Sequence, residues 1–354
     1  MTNLSKKPQD FNIFVAGKTG AFKGIKVEEN AAVVKNLQNV EILKPDSEIS
    51  ILNWGDNNET EILIGTVNQI VKIYDIDFKA YSTSMEAKFG TGSIVGLTRI
   101  NGSITTCSKS GHIKIWKCKK TEELELITEG NVSKMKKCPN RDGIIGLGGE
   151  KNDLKLWDVN KKCKVFCAKN VKKDSLELEI PIWVTDLTFL PNNENLVAVS
   201  TRHGHIRLYD TKAQRRPVVN ITVENQSFNA ISLCNNNNQV VVGSTTGHLM
   251  VADFREKKVV HRYKGPIGSI RDVYAHSELP YFASVGLDRY LRIHHLETRR
   301  LLHEQYLKVR LNCVLMTSAY GKNSDINEDQ NIECVDLESD NEYNELFSNM
   351  ESFT

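Results

Sequence analysis

The chain has 354 residues, 40% hydrophobic and 25% charged, with a net charge of +2. That is enough apolar material for a large core, yet no apolar run approaches the roughly 18 residues of a membrane span. The polar first ten residues predict no secretory leader, and eight cysteines without zinc-like spacing argue against a metal site or a disulfide framework.

One short pattern returns seven times, more weakly in the first and the last two copies: a strand, a tight turn, then a second strand of alternating residues that in the clear copies ends in an aromatic and often an Asp. In chain order the second strand reads Phe22 to Lys26, Val71 to Asp75, Ile113 to Trp116, Leu154 to Asp158, Ile206 to Asp210, Leu249 to Asp253 and Leu291 to His295. The aromatic slot falls at residues 25, 74, 116, 157, 209, 252 and 294, with spacings of 49, 42, 41, 52, 43 and 42. A period of about 40–50 residues is the blade length of a WD-repeat propeller. The predicted fold is all-β: a seven-bladed WD-repeat β-propeller over residues 11–318, with a flexible N-terminus over 1–10 and an acidic disordered tail over 319–354.

Each repeat reads as four strands, a to d. Blade five is the clearest, with strand a from Trp183 to Phe189, b from Leu196 to Ser200, c from His205 to Asp210 and d near Pro217 to Ile221. The Gly and Ser positions of strand b suit an inner strand of a tapering blade. The first run, Phe11 to Gly17, matches strand b, so blade one lacks its innermost strand. The surplus run Leu311 to Met316 is expected to supply it and shut the ring. The widest spacing marks an insertion around Lys169 to Glu179, expected to be a mobile surface loop.

No catalytic constellation emerges. The run Gly143 to Gly149 lacks the Lys-Ser/Thr of a phosphate loop and opens a strand. His112, His205 and His248 share one turn position and reflect repeat geometry. His294 and His295 end a strand with no ligand partners nearby, and no Ser or Cys occupies a nucleophile elbow. Cys107, Cys138, Cys234 and Cys313 lie in strand-like runs, and Cys163 and Cys167 stand four apart; free buried thiols are the expected state. The expectation is a non-enzyme without cofactor or metal.

Charge is more informative. Beyond residue 318, ten acidic residues face the single Lys322, so the tail carries −9 and residues 1–318 carry +11. Such a basic body points to polyanionic surroundings. The b–c turns emerge on one propeller face and carry Lys18, Lys109, Lys151, Arg202 and Arg289. The opposite face carries Lys119, Lys120, Lys161, Lys162, Arg215, Arg216, Lys257, Lys258, Arg299 and Arg300. Lysines at hairpin tips also serve as plain solvated residues, whereas arginines bind phosphate in bidentate fashion. No base-stacking aromatic platform is evident, so sequence-specific RNA readout is not expected. Trp183, next to a loop, reads either as an interface anchor or as core.

Several runs are more specific than the WD pattern: Pro181 to Phe189, Gln214 to Val218, Gly286 to His294, Tyr306-Leu307-Lys308, Leu311-Asn312-Cys313 and Gly17 to Gly24. In these the chain resembles the WD repeat-containing protein 74 family of eukaryotic nucleolar proteins, over roughly 11–317. The resemblance implies a non-catalytic scaffold in nucleolar assembly of the large ribosomal subunit. Its implied partners are pre-ribosomal assembly factors and pre-rRNA, with removal by an AAA-type ATPase and a link to the nuclear exosome helicase. No membrane is implied, and the chain is expected to be a monomer within a large particle. The interface candidates are then Lys18, Lys23, Trp183, Arg202, Arg215, Arg216, Arg289 and Arg292. Asp288 is read as a structural turn residue that hydrogen-bonds across the repeat. Several blades lack that Asp and the Gly-His before strand a, so apolar packing must hold them.

Two alternative roles are a substrate receptor of a cullin ubiquitin ligase and a signalling or transcription adaptor. The first wants Trp-Asp-x-Arg after strand c, which Trp157-Asp158-Val159-Asn160 lacks and Ala252-Asp253-Phe254-Arg255 matches only in part. Where the family tends to a lysine-rich tail suited to nuclear import, this chain is acidic. Lys134-Met135-Lys136-Lys137 is a weak substitute and reads as the solvated edge of a strand. Ser339-Asp340-Asn341-Glu342 fits an acidic-directed kinase and would deepen the tail's charge. Deleting residues 319–354 is expected to raise non-specific RNA affinity at low salt, measured by filter binding, and an unchanged affinity would refute a screening role for the tail.

Overall fold

The computed structural model describes residues 10–28, 32–39, 43, 47–116, 124–128, 130–173 and 176–321. The first nine residues, the tail from residue 322, Lys119 and Lys120 lie outside these. Among the described residues there are 28 strands and no helix. They form seven four-stranded antiparallel sheets, each a blade with strands in the order a, b, c, d. The exception in connectivity is blade one, whose innermost strand is Leu311–Met316 paired with Ile13–Gly17. The surplus run therefore closes the ring as expected.

The repeat alignment survives in the register. Ile25, Tyr74, Trp116, Trp157, Tyr209, Ala252 and His294 pair with Ile13, Ile62, Ile104, Ile145, Val197, Val240 and Phe282, the same position of strand b in every blade. The Asp that ends many c strands has a local task. Asp75, Asp158, Asp210 and Asp253 accept backbone N–H bonds from the c–d turn that follows, and His295 does so through Nδ1 in blade seven. A short acceptor at that point stabilises the turn that reverses the chain.

Burial is graded from axis to rim. Strand b is covered on both faces by adjacent sheets, so Ile13–Gly17 is buried throughout, as is Leu196–Thr201 beyond its first residue. A run buried on both sides loses its polar alternation. Small residues there make room: a Cβ on Gly148 would lie 2.5 Å from Val184 Cγ1. Strand d is the rim, and Ala80–Glu86 is mostly exposed.

The apolar core is not one body. Among the described residues it divides into seven clusters, each shared by two adjacent blades, for example Phe14 and Phe22 with Ile62 and Tyr74 between blades one and two. The Phe14 ring stacks on Phe22 at 6.0 Å and meets Trp54 edge-on at 6.1 Å. The insertion before blade five is tethered where it leaves blade four. Lys169 N–H bonds to the Arg215 carbonyl, and Asn170 Nδ2 donates to the Ile180 carbonyl. Phe14→Ala should cost about 3–5 kcal/mol, whereas Val33→Ala on the rim, where Val33 is 58% exposed, should cost less than about 0.5 kcal/mol; equilibrium urea unfolding measures both.

Candidate functional site

The innermost strands line the axis of the ring. In blades two, three, five, six and seven a β-bulge falls between the first and third residues of strand a. A bulge re-aims the side chain next to it. The third position is occupied by Asp186 in blade five and Asp272 in blade seven, and register places Lys134 of blade four at the equivalent point. From this level polar ties cross every blade boundary. Asn312 Nδ2 donates to the Ile49 carbonyl, Asn53 Nδ2 to Leu97 and Asn229 Nδ2 to Ile270. Asp186 accepts from Ile231 N–H and Asp272 from Val314 N–H, both at 3.1 Å. Lys137 Nζ donates to the Arg99 carbonyl, and Lys136 Nζ lies 3.0 Å from Asp186 Oδ1. Among the described residues, ties that skip a blade include Lys136 to the Ile231 carbonyl and Trp54 Nε1 to Tyr274 Oη.

Lys134-Met135-Lys136-Lys137 is therefore not a solvated strand edge. It is strand a of blade four, and its cations belong to an internal charge cluster. Burial is the strongest single influence on Lys134 and opposes its charge, but Asp186, Asp272 and Cys313 act the other way, and its pKa lies above the usual lysine value. Burial pushes the Asp272 carboxyl above the ordinary range, against the pull of Lys134. Where the channel opens among the a–b turns of blades two to four, a depression of about 380 Å³ is lined by Trp54, Asp56, Arg99, Lys136, Lys137 and Asp142. The sequence signal for this cluster is a charged residue at a strand-a position, where apolar or small residues stand in other blades.

The surface candidates divide by their surroundings. Lys18, Lys109, Lys151, Arg202 and Arg289 are all exposed at b–c turns of one face. Trp183 is half-buried, bridged to Glu150, with the Arg202 guanidinium 5.0 Å over its ring. Lys23 is half-buried and donates to the Leu307 carbonyl at 2.7 Å; burial first, then the like charge of Lys308, lowers its pKa. On the other face Arg215 and Arg216 are exposed but use Nε to hold the carbonyls of Cys167 and Asn170. Part of their role is thus to dock blade five on blade four. Arg292 is only 4% exposed. It lies inside blade seven between Asp288 and Glu304, so it supports the surface rather than forming it. Asp288 also accepts from Tyr290 N–H in its own turn and from Ile267 N–H of the preceding connection.

The remaining titratable groups have structural settings. Cys107, Cys138, Cys234 and Cys313 are buried free thiols, and burial pushes Cys313 up to about 12. Cys163 is exposed and Cys167 half-buried, because both lie on the rim strand of blade four. Burial lowers His205 and His294 to about 4. Among the described residues no group of three or more His, Cys, Asp or Glu could hold a metal ion.

No family model matches the chain. It is 34% identical over 349 residues to WD repeat-containing protein 74 of Bos taurus, covering 96% of the chain and 90% of that relative. The Homo sapiens protein of the same name gives the same identity and coverage. The chain belongs to the WD repeat-containing protein 74 family. It is also 26% identical to ribosome biogenesis protein nsa1 of Schizosaccharomyces pombe, over 78% of the chain and 74% of that protein.

In this member of the WD repeat-containing protein 74 family the axial charges give a pH test. The folded pKa of Asp272 lies above its unfolded value of about 3.9. The stabilisation linked to its proton is complete below that value and is lost as pH rises through the folded pKa. Asn mimics the protonated acid and does not titrate. Asp272→Asn should therefore gain stability relative to the parent as pH rises from about 4, then level off; urea unfolding between acid and neutral pH measures the difference.

Proposed function

We propose that this chain is a non-catalytic scaffold in nucleolar assembly of the large ribosomal subunit, bound to precursor particles in the nucleus through protein factors and rRNA. In this reading an AAA-type ATPase removes it and the nuclear exosome helicase works at the same step. The observation that carries the proposal is similarity along nearly the whole chain to WD repeat-containing protein 74, joined by similarity to proteins named for ribosome biogenesis. The physical form agrees. A ring tied at all seven boundaries offers two rigid faces, and one of them presents five exposed cations on short turns. Rigid turns with fixed cations bind phosphate with little ordering cost.

Affinity purification of the tagged chain, followed by sedimentation, tests this role. Co-migration with large-subunit precursors and an AAA ATPase, and stalled large-subunit maturation when the chain is depleted, are the expected results. Co-migration with a cullin complex, or normal maturation without the chain, would overturn it.

A further inference from the structure

The short connection from blade seven to blade one, residues 307–310, gathers groups that the fold does not require there. Arg289 is exposed with φ 70°, at the b–c turn position where blades one, three, five and six carry Gly20, Gly111, Gly204 and Gly247. Lys308 is exposed with φ 65°. Both cations hold a backbone conformation that glycine adopts more readily, as Gln69 does at the same turn of blade two. Leu307 N–H bonds to the Arg289 carbonyl at 2.9 Å, and Lys18 N–H to the Arg310 carbonyl at 2.8 Å. With Lys23 held on the Leu307 carbonyl, one small shoulder carries Lys18, Lys23, Arg289, Lys308 and Arg310. Of the nearby carboxylates, Asp288 and Glu304 are paired with Arg292, and Glu48 accepts from Asn312 Nδ2.

An aromatic surface stands beside these cations. Tyr306 is 43% exposed, its ring 5.1 Å from that of Tyr290, and its hydroxyl accepts from Arg289 Nη1 at 3.2 Å. The Arg292 guanidinium lies 4.8 Å from the Tyr290 ring and backs it from inside. Tyr306 is thus a partly open ring with Arg289 on its hydroxyl and Lys308 two residues along the chain, although the sequence gives no sign of a stacking platform. That combination is what single-stranded nucleic acid uses: a ring for a base and cations for the adjacent phosphates. A duplex keeps its bases stacked away from such a ring.

We propose that this shoulder binds single-stranded RNA, with a base stacked on Tyr306 and the flanking phosphates on Arg289, Lys308, Arg310 and Lys18. The inference rests on the ribosome-assembly reading and locates one RNA contact within it.

Fluorescence anisotropy of the full chain with a labelled single-stranded oligonucleotide of about ten nucleotides tests it. Tyr306→Ala should weaken binding roughly tenfold and Tyr306→Phe much less. Arg289→Gly should melt no lower than the parent, since it relieves the turn, yet bind more weakly with a shallower salt dependence. Melting curves confirm that each variant is folded. If the parent binds RNA and all three variants bind equally well, the site is wrong while the assembly role stands. If the chain sediments with precursor particles but binds no oligonucleotide, the RNA contact is overturned and the scaffold remains. Displacement by an acidic peptide, with Tyr306→Ala indistinguishable from the parent, would assign the shoulder to a protein partner instead.

Discussion

The structure depends on one antiparallel pairing, between Leu311–Met316 and Ile13–Gly17. The partners are separated by almost the whole propeller, and Thr317 Oγ1 donates to the carbonyl of Asn12 across a sequence distance of 305 residues. Without this pairing blade one would have three strands, and the apolar clusters on both its flanks would open to water. Because each cluster lies between blades, no blade holds a complete core of its own. Closure therefore determines whether the other boundaries can hold. The entropic cost of joining such distant segments grows only slowly with separation, whereas the apolar surface covered grows with every blade.

The axial ties refine that picture. Apolar packing between sheets sets distance but constrains sliding poorly. A directional bond at each boundary, such as Asn53 to Leu97 or Asp186 to Ile231, fixes how one blade sits against the next. The charged members are costly to bury and stay together because each has opposite charge nearby. Lys134 beside Asp186 and Asp272 shows the balance: the two carboxylates favour its charge against the cost of burial.

Much of the fold was legible because strands have a period of two and the turns carry their own chemistry. The aromatic slot aligned seven blades without error, and the missing strand of blade one pointed to residues 311–316. The axial charges were not legible, because whether a residue such as Asp186 faces the channel depends on a bulge that alternation does not reveal. Arg292 looked like a surface cation because its partners come from different places, Asp288 from the turn and Glu304 from the next strand. Tyr306 was hidden for the opposite reason. A rim aromatic reads as edge packing until its exposure and the neighbouring turn are known.

The borrowed strand has a temporal consequence. Ribosomes deliver a chain from its N-terminus, so Phe14 and its neighbours leave the exit tunnel long before residues 311–316 can cover them. Blade one must wait, part-finished, while six other sheets are made. An interrupted translation product would keep that seam open and adhesive, a ready mark for chaperones, whereas a chain that reaches residue 316 can erase the mark by folding.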